Sequence, residues 1–350
     1  MIYQPRVCCP RLNLSKATTC GPVLAPSISG FVAPVSWRWT FWVGVIVAGL
    51  SLIVLLFLPE TYGPTLLKRR AKQLQNQHPE SNILSPLDLE KKGAKQMITV
   101  VLMRPLNMIA FEAIVLFTCL YLSLAYAIFY LFFEAYPLIF MGIYNMSTGV
   151  SGLAFLPILL GAMIALLIFL YYDTVLRKAQ RAKKPWSQKE EYRRLPLACF
   201  GGPLYVVSLF WLGWSARTDV HWIVPMLAGV PFGMGFMLIF MALLNYITDA
   251  YETYAASGMA ATSFSRSMFG AILPLGARPM YQRLGVSWAS SLLGLLSLAL
   301  TVIPFAFIKY GDRIRANSKF CIELKEKKEK VSRDKGEKRN VAMQEGTVEC

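Results

Sequence analysis

Arg266 lies near the middle of a stretch, 255–277, that carries no other charge, and its neighbours from Ser257 to Ser265 are mostly small or polar. If that stretch is embedded in hydrocarbon, an arginine there costs about 2.5–3.5 kcal/mol. The guanidinium must therefore meet a counter-charge or water. Asp249 and Glu112 are the two carboxylates suited to pair with it. A salt bridge that only fixes adjacent helices and a role in moving a solute are both open. Asn245 and Asp249 are four residues apart, so on a helix they place an amide and a carboxylate on one face, a turn apart. That pair could bind a polar group or pass a proton; if the helix ends earlier, Asp249 lies in the following loop. Glu134 precedes Pro137 among Tyr130, Phe133 and Tyr136, aromatics that could partly desolvate its carboxylate for proton exchange.

Tyr121, Tyr126, Phe129, Tyr130 and Phe133 recur at mainly three- and four-residue spacing in the same segment. One helix face would then present an aromatic wall able to hold flat or cationic organic molecules. Lipid-facing packing and interfacial anchoring use the same residues. Other chemistries find little material. With only His78 and His221, and seven cysteines without a CxxC pair, no metal site is expected. No GxGxxG, P-loop or nucleophile elbow occurs, so neither a cofactor nor an enzyme is expected.

The elements that must position these residues are apolar and long. Seven stretches, 39–58, 109–133, 150–172, 195–215, 222–247, 255–277 and 286–308, reach the roughly 20 residues a helix needs to cross a bilayer. Only the second and sixth contain a charge, Glu112 and Arg266. Of 36 lysines and arginines, 28 fall in 68–104, 177–194 and 309–339, separated by two and then four spans. Even parity puts all three basic segments on one side, the cytoplasmic side under the positive-inside rule. Arg217, Arg278 and Arg283 are left outside. A hydrophobic content of 55% excludes an ordinary soluble chain. The net charge of +16 flanks spans instead of interleaving with base-stacking aromatics, so nucleic acid is not an expected partner. Some of it can meet anionic lipid headgroups.

Residues 1–19 are polar and lack the apolar core of a cleavable signal. Cys8 and Cys9 form a vicinal pair that could be palmitoylated. Residues 59–108 read as a long cytoplasmic connection with a basic helical stretch, and 310–350 as a charged tail too poor in apolar residues to fold alone. Asn145-Met146-Ser147 is a glycosylation sequon that this topology places outside, whereas Asn13-Leu14-Ser15 falls inside. One span, a long inner loop and six further spans are half of a plan in which two six-helix bundles are joined by a central loop.

The segment from Gly21 to Gly30, with Pro22 and Pro26, is followed by Trp37-Arg38-Trp39-Thr40-Phe41-Trp42 and then Pro59-Glu60-Thr61. In this order they resemble the major facilitator superfamily, specifically its twelve-span fungal drug:proton antiporters, whose fifth helix carries a GPxxGPxxGG motif. Ala25 and Ser29 replace two of the family's glycines, which puts the helix bend of that motif in doubt while close packing survives. The likeness continues through Tyr130–Pro137, Gly152–Phe155, Tyr171–Asp173, Asn245–Tyr251 and Tyr281–Gly285, and covers about residues 20–320. Asp173 and Arg177 resemble a reduced form of the family's acidic-basic loop motif, which can latch helices in one conformation.

The resemblance implies an all-α membrane bundle of about seven or eight spans: a remnant of the N-terminal half over 20–58 and a six-helix C-terminal half over 109–309. The family's first four to four and a half helices have no counterpart, as a truncated gene or a misplaced start would give. If 20–34 also spans, Arg6, Arg11 and Lys16 join the inner charges. The implied activity is export of an organic small molecule, such as a drug, toxin or secondary metabolite, in exchange for protons at the plasma membrane or an internal one. A non-transporting fragment or an assembly partner is the alternative.

Overall fold

The computed structural model describes residues 21, 24–57, 60, 63–77, 103–189, 191–316, 318, 320 and 322. Pro22, Cys8, Cys9, His78 and Asn13 lie outside them, as do most of the inner connection and most of the tail. The described residues divide into two units: Val32 to Arg104, and those up to Phe31 together with those from Pro105 onward.

The first unit holds α1 (Trp37–Leu56) and α2 (Gly63–Gln77). α1 is apolar around its whole circumference, and none of its residues is buried within the chain. That pattern suits a helix immersed in lipid or covered by other helices. α2 is amphipathic and basic, with Lys68, Arg69, Arg70 and Lys72 among its residues, as expected from its apolar spacing.

The second unit is a bundle of α3 (Ala113–Phe140), α4 (Leu156–Arg181), α5 (Glu191–Ser215), α6 (Gly229–Tyr251), α7 (Ala255–Leu275) and α8 (Ala277–Ala316). α6 packs most extensively on α4 and α5, α5 also on α8, and α3 on α7 and α8. Among the described residues six helical segments are long and apolar enough to cross a membrane: α1, Thr148–Arg181, Ile223–Tyr251, α3, α5 and Ala277–Gly311. α7, expected as a seventh span, forms over 21 residues but carries too many serines and glycines around Arg266 to match their apolarity. Residues 24–32 are helical within the eighth candidate, 20–34, of which residues 20, 22 and 23 lie outside the described ones.

Backbone chemistry sets the boundaries. Glu112 is extended (φ −107°, ψ 107°) and separates the helix Arg104–Phe111 from α3. The expected span from 109 is thus broken, and Glu112 lies ahead of α3 instead of within it. After α3 the chain turns through Asn145 at φ 52°, a left-handed position that asparagine tolerates better than most residues. Glu252 at φ 35° separates α6 from the short turn leading to α7. Gly285, at φ 75° and ψ 166°, breaks α8 in a conformation that only glycine adopts freely, just before the expected start at 286. α8 then runs to Ala316, so the expected tail from 310 begins as helix.

Glycines let the helices approach to backbone contact, which replaces the hydrophobic driving force that lipid removes. A Cβ at Gly161 of α4 would overlap the Val230 carbonyl, and one at Gly233 of α6 would overlap that of Ile158. The motif segment uses the same device. A Cβ on Gly30 would lie 2.9 Å from the Thr148 carbonyl oxygen, one on Gly152 2.6 Å from that of Pro26, and Ser27 Oγ donates to the Gly152 carbonyl at 2.9 Å. Gly21, by contrast, has nothing within 4 Å of where a Cβ would stand.

Candidate functional site

α3 and α7 face each other through a stripe of small and polar residues. On α7 the sequence Ser263, Arg266, Gly270 recurs at three and four residues, and on α3 Ser123, Tyr126 and Tyr130 do the same. Ser123 and Ser265 share a hydroxyl–hydroxyl hydrogen bond of 2.8 Å, and a Cβ at Gly270 would stand 3.0 Å from the Tyr126 ring. The missing side chain is what seats Tyr126 against α7.

This seating places Arg266 over two aromatic faces. Its guanidinium carbon is 5.5 Å from the Tyr126 ring centre and 5.1 Å from that of Phe240 on α6. Nη2 also donates to Ser263 Oγ at 3.3 Å. Tyr126 and Tyr130 hydroxyls lie 3.1 Å apart, and Phe129 stacks on Phe236, which tilts against Phe240. Arg266, Tyr126 and Tyr130 are partly exposed on this face, whereas Phe240 is buried.

The carboxylates expected to pair with Arg266 are engaged elsewhere. Among the described residues no Asp or Glu lies within ion-pair distance of Arg266. Asp249 belongs to α6, which settles its helical placement, and accepts from Arg194 Nε at 3.1 Å. Arg194 also approaches Asp173 at 3.9 Å, and Asp173 pairs with Arg177 at 2.6 Å. One arginine of α5 thereby links α4 and α6. Asn245 turns back to its own helix, donating to the Met241 carbonyl at 2.7 Å. The pairing of Asn245 and Asp249 as one polar face is therefore divided between two tasks.

Glu112 is buried and accepts from Tyr251 Oη at 3.0 Å, joining the start of α3 to the end of α6. Nearby in the chain order of inner ends, Glu191 pairs with Arg315, and Tyr254 meets Phe320 edge to face at 5.2 Å. All these contacts join ends that the charge pattern assigns to the cytoplasm.

The opposite ends are joined more loosely. Glu134 pairs with Arg278 at 3.3 Å, with 42% and 75% of the two side chains exposed. Aromatic desolvation of Glu134 is accordingly partial. Tyr144 Oη donates to the Arg217 carbonyl at 2.9 Å. Burial pushes the Tyr144 phenol up from its ordinary value, against the lowering effect of that bond. Asn145, the sequon residue, is exposed in the same loop.

Arg194, Tyr251, Phe240 and the Glu191–Arg315 pair were not among the residues expected to act. Asp173 and Arg177 advertise themselves as an i, i+4 pair, but a partner on another helix leaves no local signal. Phe240 sits in a uniformly apolar run where nothing in the spacing singles it out.

Comparison with known proteins agrees with this architecture. Residues 14–274 match the model of the Major Facilitator Superfamily. The chain is 40% identical over 308 residues to an "Ascochitine biosynthesis cluster MFS transporter" of Didymella fabae, covering 87% of this chain and 59% of the relative. It is 38% identical over 313 residues to "Efflux pump FUB11" of Gibberella fujikuroi, covering 88% and 54%. It is 37% identical over 310 residues to the "Major facilitator superfamily multidrug transporter FLU1" of Candida albicans, covering 87% and 50%. The chain thus spans little more than half the length of the curated relatives it matches. That family comprises transporters rather than enzymes, and its members are integral, multi-pass membrane proteins. On the family match, the identity to these relatives and the helical bundle, this chain belongs to the major facilitator superfamily.

Proposed function

We propose that the chain acts in the export of an organic small molecule, a drug, toxin or secondary metabolite, across the plasma membrane in exchange for protons. The observation that carries this reading is the wall built by α3, α6 and α7. There Arg266 is held over Tyr126 and Phe240 near the middle of α7, partly exposed and without a carboxylate partner among the described residues. A purely structural arginine would be neutralised in place. The printed names of the relatives, a biosynthesis-cluster transporter, an efflux pump and a multidrug transporter, support an exported organic solute.

For the proton, Glu112 is our choice over Glu134 and Asp249. Its carboxylate is buried and held by a neutral hydroxyl, whereas the other two are held by arginines. Loss of the Tyr251 bond would free the inner ends of α3 and α6 together. The Asp249–Arg194–Asp173 linkage would serve as the latch that keeps the inner end closed. One proton crossing 100 mV supplies about 2.3 kcal/mol, enough for a substantial concentration ratio.

A second reading, assembly with further membrane helices before any transport, is favoured by α1, an apolar helix none of whose residues is buried. Vesicles with an acidic lumen and the purified chain test the proposal. Gradient-dependent accumulation of a fluorescent organic substrate, abolished by a protonophore, is expected; equal uptake with and without the gradient would refute export by this chain.

A further inference from the structure

We infer that the Arg266 face binds aromatic organic anions, carboxylates above all, in preference to cations or neutral compounds. This rests on the reading of that face as the substrate wall and goes beyond it by assigning a charge class. Cation binding by an aromatic wall requires a free ring face. Here the faces of Tyr126 and Phe240 are already approached by a guanidinium, at 5.5 and 5.1 Å. A second cation would have to displace the first and would meet its repulsion. Of the flat or cationic molecules that the aromatics alone suggest, this inference keeps the flat and sets the cationic aside.

The guanidinium has capacity to spare. Of its five N–H donors, one is directed to Ser263 Oγ. Among the described residues no carboxylate neutralises it, because Asp249 is held by Arg194, Glu112 by Tyr251 and Glu134 by Arg278. Planar guanidinium and planar carboxylate match in a bidentate pair, which a sulfonamide or amide cannot reproduce. Arg266 sits beside the rings of Tyr126 and Phe240, so an aromatic acid that pairs with its fork can keep its ring against the same wall. Tyr130 continues that wall one turn along α3, with its hydroxyl bonded to that of Tyr126. The charge without a carboxylate among the described residues, its spare donors and the adjoining ring surface call for one kind of ligand: a flat ring bearing an oxyanion.

The test is a matched trio sharing one ring system: 2-naphthoate, 2-naphthamide and 2-naphthylmethylammonium. Each is titrated by calorimetry into the 350-residue chain in lipid nanodiscs, at about 0.3 M salt so that the exposed basic loops are screened. Naphthoate should bind about tenfold or more tighter than the amide, as a charged hydrogen-bonded pair gives, with the ammonium weakest. Arg266→Gln should erase the preference for the anion while leaving amide affinity within about twofold, which also reports an intact fold. Arg266→Lys, which keeps the charge but loses the fork, should retain part of it. The inference is overturned if the amide or the ammonium matches naphthoate, if none of the three binds, or if Arg266→Gln keeps the anion preference. Anion binding that depends on Arg266 without gradient-driven flux would uphold this site and sink the export reading. Gradient-driven flux of solutes with no anion preference would do the opposite.

Discussion

Arg194 Nε donates to the Asp249 carboxylate at 3.1 Å, and this bond ties the inner end of α5 to that of α6. Both side chains are mostly withdrawn from solvent, at 16% and 29% exposure, so the pair is less screened than a surface salt bridge. A double-mutant cycle with Arg194→Gln and Asp249→Asn, read by thermal unfolding in detergent, should give a coupling of about 1 kcal/mol or more. Additive effects of the two substitutions would show that the contact does not hold the helices.

Glu191 and Arg315 form the more deeply buried pair, with 3% and 15% of their side chains exposed. Removing Arg315 alone leaves the buried Glu191 carboxylate without this counter-charge, whereas replacing both by methionine takes the two charges away together. Arg315→Met alone should destabilise by about 3 kcal/mol, and the double variant Glu191→Met, Arg315→Met by clearly less. The comparison of the two melting temperatures decides it: a double variant that melts lower than the single one contradicts this account.

The helix contacts through glycine make a prediction with its own control. Gly161→Ala must push α4 from α6, because the new methyl overlaps the Val230 carbonyl, and should cost about 1–3 kcal/mol. Gly44→Ala in α1 meets nothing within 4 Å and should leave stability unchanged or slightly raised, since alanine is the better helix former. Equal melting temperatures for the two variants would mean that α4 and α6 are not in backbone contact.

Sidedness is tested without reference to activity. Epitopes inserted near Arg70, Lys183 and Arg315 should all be protected in sealed right-side-out vesicles and accessible after permeabilisation, if α7 crosses the membrane and even numbers of spans separate them. Protection of one and exposure of the other two would break the topology.

The contrast between α3 and α7 shows what the sequence could and could not convey. α3 is apolar over 28 residues, so its existence was legible, but the single charge of Glu112 does not reveal that the backbone is extended there and detaches α3 from Arg104–Phe111. In α8 the break was visible, because the expected boundary at 286 follows Gly285, whose conformation is open to glycine. Arg266 stood out by its cost in hydrocarbon, and Tyr126 and Tyr130 by their spacing. Their meeting with Phe240 was not legible, since it depends on how α6 crosses α3 and α7. The same holds for Asp249: its helix was visible, but Arg194 is 55 residues away in the chain. Periodicity reports which face of a helix is polar and says nothing of which other helix will answer it.

Thiol accessibility across α7 addresses the substrate wall itself. Ser263 shares the face of Arg266, while Met268, 47% exposed, lies on the apolar stripe with Phe264 and Ile272. In a background with the seven native cysteines replaced, Ser263→Cys should react with a membrane-impermeant charged thiol reagent in native membranes, and an aromatic acid should slow that reaction. Met268→Cys should stay unreactive. Labelling of position 268 with protection of 263, or labelling of 263 that no aromatic solute alters, would contradict a solute pathway along the Arg266 face.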